Sequence, residues 1–164
     1  MNNLLSITDK VLNNQSLIKK MKLWNSSKKT IVFTNGVFDL LHLGHIDYLS
    51  KAKDEGDILI VGVNSDFSAR KLSKGNSRPI TNEKSRSIII ASLQFVDAVV
   101  LFDDDTPYEL IKIVQPDILV KGADYKPEEI VGYDIVMSKN GLIKTIEFLP
   151  GYSTTSIEKK IKQV

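Results

Sequence analysis

Residues 30–45 read Thr30-Ile31-Val32-Phe33-Thr34-Asn35-Gly36-Val37-Phe38-Asp39-Leu40-Leu41-His42-Leu43-Gly44-His45. Residues 30–34 are β-branched or aromatic and carry apolar side chains on both faces, which predicts a strand buried between two layers. A glycine-bearing turn follows, and from about residue 43 to 53 the apolar positions recur at helical spacing. A strand, a turn and a helix in this order form the opening unit of an α/β sheet. Both histidines of the chain fall at the turn, three residues apart. Read as the first helical turn, that spacing puts the two imidazoles on one helix face. The positive end of the helix dipole points the same way, toward any anion. Gly36 and Gly44 keep side chains out of the place where a phosphate chain would approach the backbone. Two other readings of a His-x-x-His pair are surface histidines and half of a zinc site. With no cysteine in the chain, the zinc site would need a carboxylate to complete it. Position at a strand-to-helix turn, where open α/β folds bind ligands, favours the phosphate site.

Working outward, further apolar runs cover residues 58–63, 98–102, 118–120 and 143–146. Helical patterns cover about 83–93, 107–114 and 155–162. The alternation predicts an α/β fold, a Rossmann-like doubly wound parallel five-stranded sheet with helices on both faces. Residues 8–24 show helical spacing and predict one amphipathic helix, followed by a polar linker at 25–29. The expected organisation is therefore an N-terminal helix and linker over 1–27 and one catalytic domain over 28–164.

The 164 residues are 42% hydrophobic and 26% charged, with a net charge of +2 and no cysteine. That is one ordinary domain's worth of chain, with enough apolar content for a core. The small net charge does not suggest a nucleic-acid surface, and structural disulfides are excluded. No apolar run approaches a membrane span, and residues 1–9 lack a signal-peptide core. The expectations are a cytoplasmic protein with no nucleic-acid and no membrane partner.

A second anion-binding segment lies near the C-terminus, where Gly151-Tyr152-Ser153-Thr154-Thr155-Ser156 opens the last predicted helix. Ser and Thr cap helices well, and exposed N–H groups at a helix start suit phosphates. Basic residues follow the strands: Lys71 and Lys74 after Asn64-Ser65-Asp66, Arg78 before the next helix, and Lys121 at the start of Lys121-Gly122-Ala123-Asp124-Tyr125. Arg86 sits in a first helical turn, against the dipole, and so calls for a nearby anion or carboxylate.

Gly36-Val37-Phe38-Asp39 with His42-Leu43-Gly44-His45 resembles the signature of the cytidylyltransferase-like nucleotidyltransferases. Over residues 30–161 the likeness narrows to the adenylyltransferases of the ADP-heptose pathway. It is carried by Arg78-Pro79-Ile80, Asp105-Thr106-Pro107, Pro116-Asp117-Ile118-Leu119-Val120-Lys121-Gly122-Ala123-Asp124-Tyr125 and Phe148-Leu149-Pro150-Gly151-Tyr152-Ser153-Thr154-Thr155. Three positions depart from the pattern: Val37 stands where many relatives carry Thr, Ala123 where a second Gly is common, and Ser85 where Gln or Glu precedes the Arg.

The resemblance implies AMP transfer from ATP to D-glycero-β-D-manno-heptose 1-phosphate, releasing pyrophosphate, for lipopolysaccharide core or other surface glycans. Displacement occurs at the α-phosphorus, and the attacking phosphate oxygen is already ionised, so catalysis means alignment and charge neutralisation. His42 and His45 would donate to the α- and β-phosphates, and Lys71 or Lys74 would bridge the two substrates. Asn35, Gly36, Val37, Phe38, Gly44 and Arg86 fall on the nucleotide side. So do Lys121, Gly122 and Asp124, with adenine packed near 122–125. Tyr152, Ser153, Thr154 and Thr155 would hold the leaving pyrophosphate. Asp39, Asp66 and Arg78 fall on the acceptor side, with Asp39 also expected to bond backbone N–H groups in its own turn. Mg²⁺ would accompany ATP, with no metal site in the protein itself. The resemblance further implies a homodimer or higher homo-oligomer and a stand-alone form served by a separate heptose kinase. The alternatives are a cytidylyltransferase acting on glycerol 3-phosphate or a similar alcohol phosphate, and a non-catalytic nucleotide sensor.

Overall fold

The computed structural model describes residues 2–72, 78–123 and 126–163. The chain opens with helix α1 (Asn3–Thr8), strand β1 (Val11–Leu12) and helix α2 (Asn14–Ser26). Strand β2 (Ile31–Gly36) leads into α3 (Leu43–Asp54), and β3 (Ile58–Asn64) into α4 (Asp66–Leu72) and α5 (Glu83–Ala91). Strand β4 (Ala98–Phe102) precedes α6 (Tyr108–Val114), and β5 (Ile118–Gly122) precedes a short 3-10 turn at Pro127–Glu129 and α7 (Tyr133–Ser138). Strand β6 (Leu142–Ile146) and α8 (Thr154–Ile161) complete it.

The sheet has six parallel strands in the order β1-β4-β3-β2-β5-β6. Five strands were expected; the sixth is β1, inside the stretch read as one helix. The Lys10 carbonyl accepts the Val99 N–H at 2.8 Å, and Val11 and Leu12 pair with Val99 and Val100. Covering the otherwise open edge of β4 outweighs continuing the helix. Asn13 then restarts the helix as N-cap of α2, in a capping box with Ser16.

The expected layers are present. Along the strands, successive side chains alternate between two cores. Ile31, Phe33, Ile60, Val100 and Leu119 face α2, α6 and α7, meeting Leu17, Met21, Ile111 and Val136. Val32, Leu59, Val61, Val99 and Val120 face α3 and α5, meeting Leu49, Ala52, Ile90 and Ala91. Among the described residues, no helix is long and apolar enough to cross a membrane.

The two ends of the sheet are built differently. At the amino edge, Asp57, Asp97 and Asp117 each stand just before a strand. Their carboxylates accept the backbone N–H groups of Thr30, Leu59 and Ile31 at 2.9, 2.7 and 2.8 Å. At the carboxyl edge, the order reverses between β2 and β5, because β3 and β4 lie to one side of β2 and β5 and β6 to the other. Open α/β sheets bind ligands in the crevice at such a reversal.

Candidate active site

The histidine pair lies beyond the carboxyl end of β2. His42 is the N-cap of α3, with extended backbone (φ −142°), and His45 is in the first turn. The expectation of two histidines inside the first turn is corrected by one position. The rings still meet: they stack with centroids 3.8 Å apart and planes 17° from parallel. Phe38 stands edge-on to His45 at 5.3 Å. Burial, then the neighbouring His42, pushes His45 down to about 4, against a raising effect of the Leu40 backbone. Burial also lowers His42. Both rings are therefore neutral near pH 7, and the Nδ1 atoms of both are buried without a protein partner.

The glycines work through protein contacts. A β-carbon at Gly36 would lie 3.1 Å from the Phe38 ring, and one at Gly44 would lie 3.1 Å from both His42 Nδ1 and Tyr152 Cβ. Gly44 thus lets the loop before α8 close onto the histidine turn. In that loop Gly151 has φ +86°, the left-handed region that glycine tolerates. Ser153 caps α8, accepting from Ser156 N–H at 3.1 Å while Ser156 Oγ accepts from Ser153 N–H at 3.3 Å. Thr154 opens the helix, and Thr155 Oγ1 accepts from Arg78 Nη2 at 3.1 Å. Arg78 also forms a two-pronged pair with Glu158, at 2.8 and 2.7 Å. The structure thus brings the histidine pair, Gly44, Tyr152 and the start of α8 together, with Arg78 tied to α8.

Asp39 differs from expectation, and Arg86 and Asp66 are held by protein groups. Asp39 is buried, and its carboxylate accepts the N–H groups of Ile80 and Thr81, each at 2.8 Å, and the Thr81 hydroxyl. Those partners lie in the segment before α5, not in its own turn. Arg86 is 0% exposed. Its guanidinium donates to the carbonyls of Thr81 at 3.0 Å and Val37 at 2.7 Å, and to Asp66 at 2.8 Å. Of the anion or carboxylate it calls for, it finds the carboxylate. Asp66 is thereby engaged with Arg86, and its N–H donates to Glu83 at 2.7 Å.

Lys121, at the end of β5, donates to the Asn35 side-chain oxygen at the end of β2, spanning the reversal point of the sheet. Beside them is a cavity of about 200 Å³ lined by Asn35, Asn64, Thr106, Lys121, Glu129 and Ile130. Gly122 is buried. Lys71 pairs with Asp105 and lies 4.4 Å above the Phe67 ring, at an open groove facing Asp103 and Asp104. Lys74, Asp124 and Tyr125 lie outside the described residues. Sequence reasoning missed Glu158, Thr81 and Glu83. Their partners are distant in the chain, and no local pattern marks them.

The sequence profile of the Cytidylyltransferase-like family matches residues 33–160. The bifunctional protein HldE of Wolinella succinogenes is 51% identical over 154 residues, which cover 94% of this chain and 31% of that protein. The HldE of a Nitratiruptor species is 58% identical over 134 residues, covering 82% and 28%. The chain thus spans about a third of the length of the curated relatives it matches. Among solved structures, the lipopolysaccharide core biosynthesis protein of Thermoplasma volcanium superposes with a TM-score of 0.59 at 32% identity, covering 74% of this chain and 97% of that one. The pantoate-β-alanine ligase of Francisella tularensis, at 20% identity and a TM-score of 0.56, covers 94% of this chain and 78% of that one, and shares the fold.

Proposed function

The chain belongs to the cytidylyltransferase-like family, and on that premise we propose that it transfers AMP from ATP to a heptose 1-phosphate, giving ADP-heptose and pyrophosphate. The observation that carries the reading is the stacked, neutral histidine pair beside Gly44, with the N-terminus of α8 closed against it through Tyr152. Support for the sugar comes from the HldE relatives at 51–58% identity and from the lipopolysaccharide-core neighbour. The acceptor is D-glycero-β-D-manno-heptose 1-phosphate, which a sugar kinase would supply. We also propose that the working form is a homodimer.

In this reaction an acceptor phosphate oxygen attacks the α-phosphorus in line and pyrophosphate leaves. No base is required, because the nucleophile is already ionised. His42 and His45 donate to phosphate oxygens as charge builds on them, in a site whose dipoles are fixed beforehand. The N–H groups opening α8 take the leaving pyrophosphate. Lys121 and Asn35, on the nucleotide side, border the cavity at the reversal point of the sheet. Arg78, tied to α8 through Glu158 and Thr155, is assigned to the acceptor side. Among the described residues, no group of three or more His, Cys, Asp or Glu could hold a metal ion. Mg²⁺ would be carried on the ATP phosphates and waters, where it would offset charge on the leaving group.

The test is pyrophosphate release from purified protein given ATP and the heptose 1-phosphate, beside CTP and glycerol 3-phosphate. The ATP and heptose pair is expected to turn over faster. Faster turnover of the CTP and glycerol pair would replace this activity with a cytidylyl transfer. Tight ATP binding with no pyrophosphate from any acceptor would leave a nucleotide-binding protein.

A further inference from the structure

Among the described residues, Arg86 is the largest fully buried side chain. A buried guanidinium is costly unless it is paired and hydrogen-bonded. Here each of its three nitrogens donates to a different segment: Nε to Thr81 before α5, Nη1 to Val37 in the turn after β2, and Nη2 to Asp66 at the start of α4. The contact with Val37 is the informative one. In a planar trans peptide, the carbonyl of one residue and the N–H of the next point in opposite directions. Holding the Val37 carbonyl at 2.7 Å therefore turns the Phe38 N–H away from Arg86. Phe38 has φ +52°, an uncommon conformation for a bulky residue, which persists where the surroundings enforce it. Its ring lies over Gly36 and edge-on to His45. Among the described residues, the Phe38 N–H makes no hydrogen bond.

We infer that Arg86 is a positioning residue: by gripping the Val37 carbonyl it fixes the Val37–Phe38 peptide so that the Phe38 N–H is presented to a phosphate oxygen of a nucleoside triphosphate. Asp66 holds the guanidinium from the other side. Asp39, bonded to Ile80 and Thr81, keeps the same turn fastened to the segment that precedes Arg86. The side chain acts through the backbone of the turn and does not touch the ligand. This rests on the proposed activity only in taking a nucleoside triphosphate as the ligand.

The test uses the full chain labelled with ¹⁵N-phenylalanine, whose six phenylalanines give at most six amide signals. The protein is titrated with α,β-methylene ATP and Mg²⁺. In the unsubstituted protein the Phe38 amide proton is expected to move downfield on binding. Arg86→Lys keeps the charge but not the three-way fork. It is expected to lose most of that shift and to weaken binding about tenfold or more, the scale of a hydrogen bond to a charged group. A variant that melts earlier yet keeps the Phe38 shift and the affinity would make Arg86 a structural residue only and overturn the inference. If Arg86→Lys does not fold, Asp66→Asn is read by the same two outcomes. Failure of the unsubstituted protein to bind the analogue would remove the proposed activity, and this inference with it. Binding with no movement of the Phe38 signal would remove the inference alone.

Discussion

A β-carbon on Gly44 would stand 3.1 Å from the β-carbon of Tyr152, so the first turn of α3 and the loop entering α8 touch with no room for a methyl group. That contact brings the two segments proposed to bind phosphates into one place. Gly44→Ala has to displace His42 or Tyr152. Overpacking of this kind costs about 1–3 kcal/mol, and here the displacement falls on groups proposed to meet the substrate. Turnover is expected to fall at least about tenfold, with a modest loss in Tm. Steady-state rates and thermal melts check it; unchanged kcat in the folded variant would show that the two segments act separately.

The depressed histidines make two measurable demands. His45 sits near pKa about 4 in the folded protein against 6.5 for the free side chain. Between those values the unfolded chain binds more protons, so the stability from keeping this ring neutral is present above about pH 6.5 and is lost as pH falls toward 4. Urea midpoints should therefore drop between pH 7 and 5, and His45→Gln should flatten the drop. An equal pH slope in the variant would contradict the assignment. Replacing either histidine by Ala should lower turnover about 10²-fold, since a preorganised donor contributes roughly 3 kcal/mol.

Thr154 is the first residue of α8, a position where proline is tolerated because its missing N–H has no partner within the helix. Thr154→Pro should remove one donor and leave the helix standing. Triphosphate binding is expected to weaken by about 1.5–3 kcal/mol, AMP binding much less, and Thr154→Ala should bind as the parent does. Calorimetric titration with the two nucleotides decides it: equal losses for AMP and ATP would mean that α8 does not read the outer phosphates.

Leu17 is fully buried and packs in the core on the α2 face of the sheet, far in kind from the polar carboxyl edge. Leu17→Ala should destabilise by about 2–5 kcal/mol while leaving the KM for ATP within about twofold, distant sites being nearly independent. A large change in KM with an unchanged melt would place the N-terminal segment in the site.

Much of this was legible because it is local. Strands buried on both faces carry continuous apolar runs, and β2 to β5 stand out for that reason. The histidine turn and the Ser153 cap are written in consecutive residues. What could not be read is set by partners distant in the chain. Val11 and Leu12 look helical in isolation and become a strand only because the edge of β4 is available. The seven-residue α4 and six-residue α7 are too short to show periodicity. Arg86 and Asp39 look like ligand-binding charges, but their burial and their partners in other segments depend on the fold. Glu158 gave no signal at all, since Arg78 meets it only after α8 has docked.

The three aspartates at the amino edge, Asp57, Asp97 and Asp117, fix the alignment of β2 with β3, of β3 with β4 and of β2 with β5 at the end opposite the candidate site. Strand register is therefore decided independently of the loops at the opposite end. Those loops can change length and chemistry without the strands slipping. The consequence is evolutionary: a lineage can exchange one acceptor for another by rewriting loops alone, and a designer who wishes to do the same should leave those carboxylates untouched.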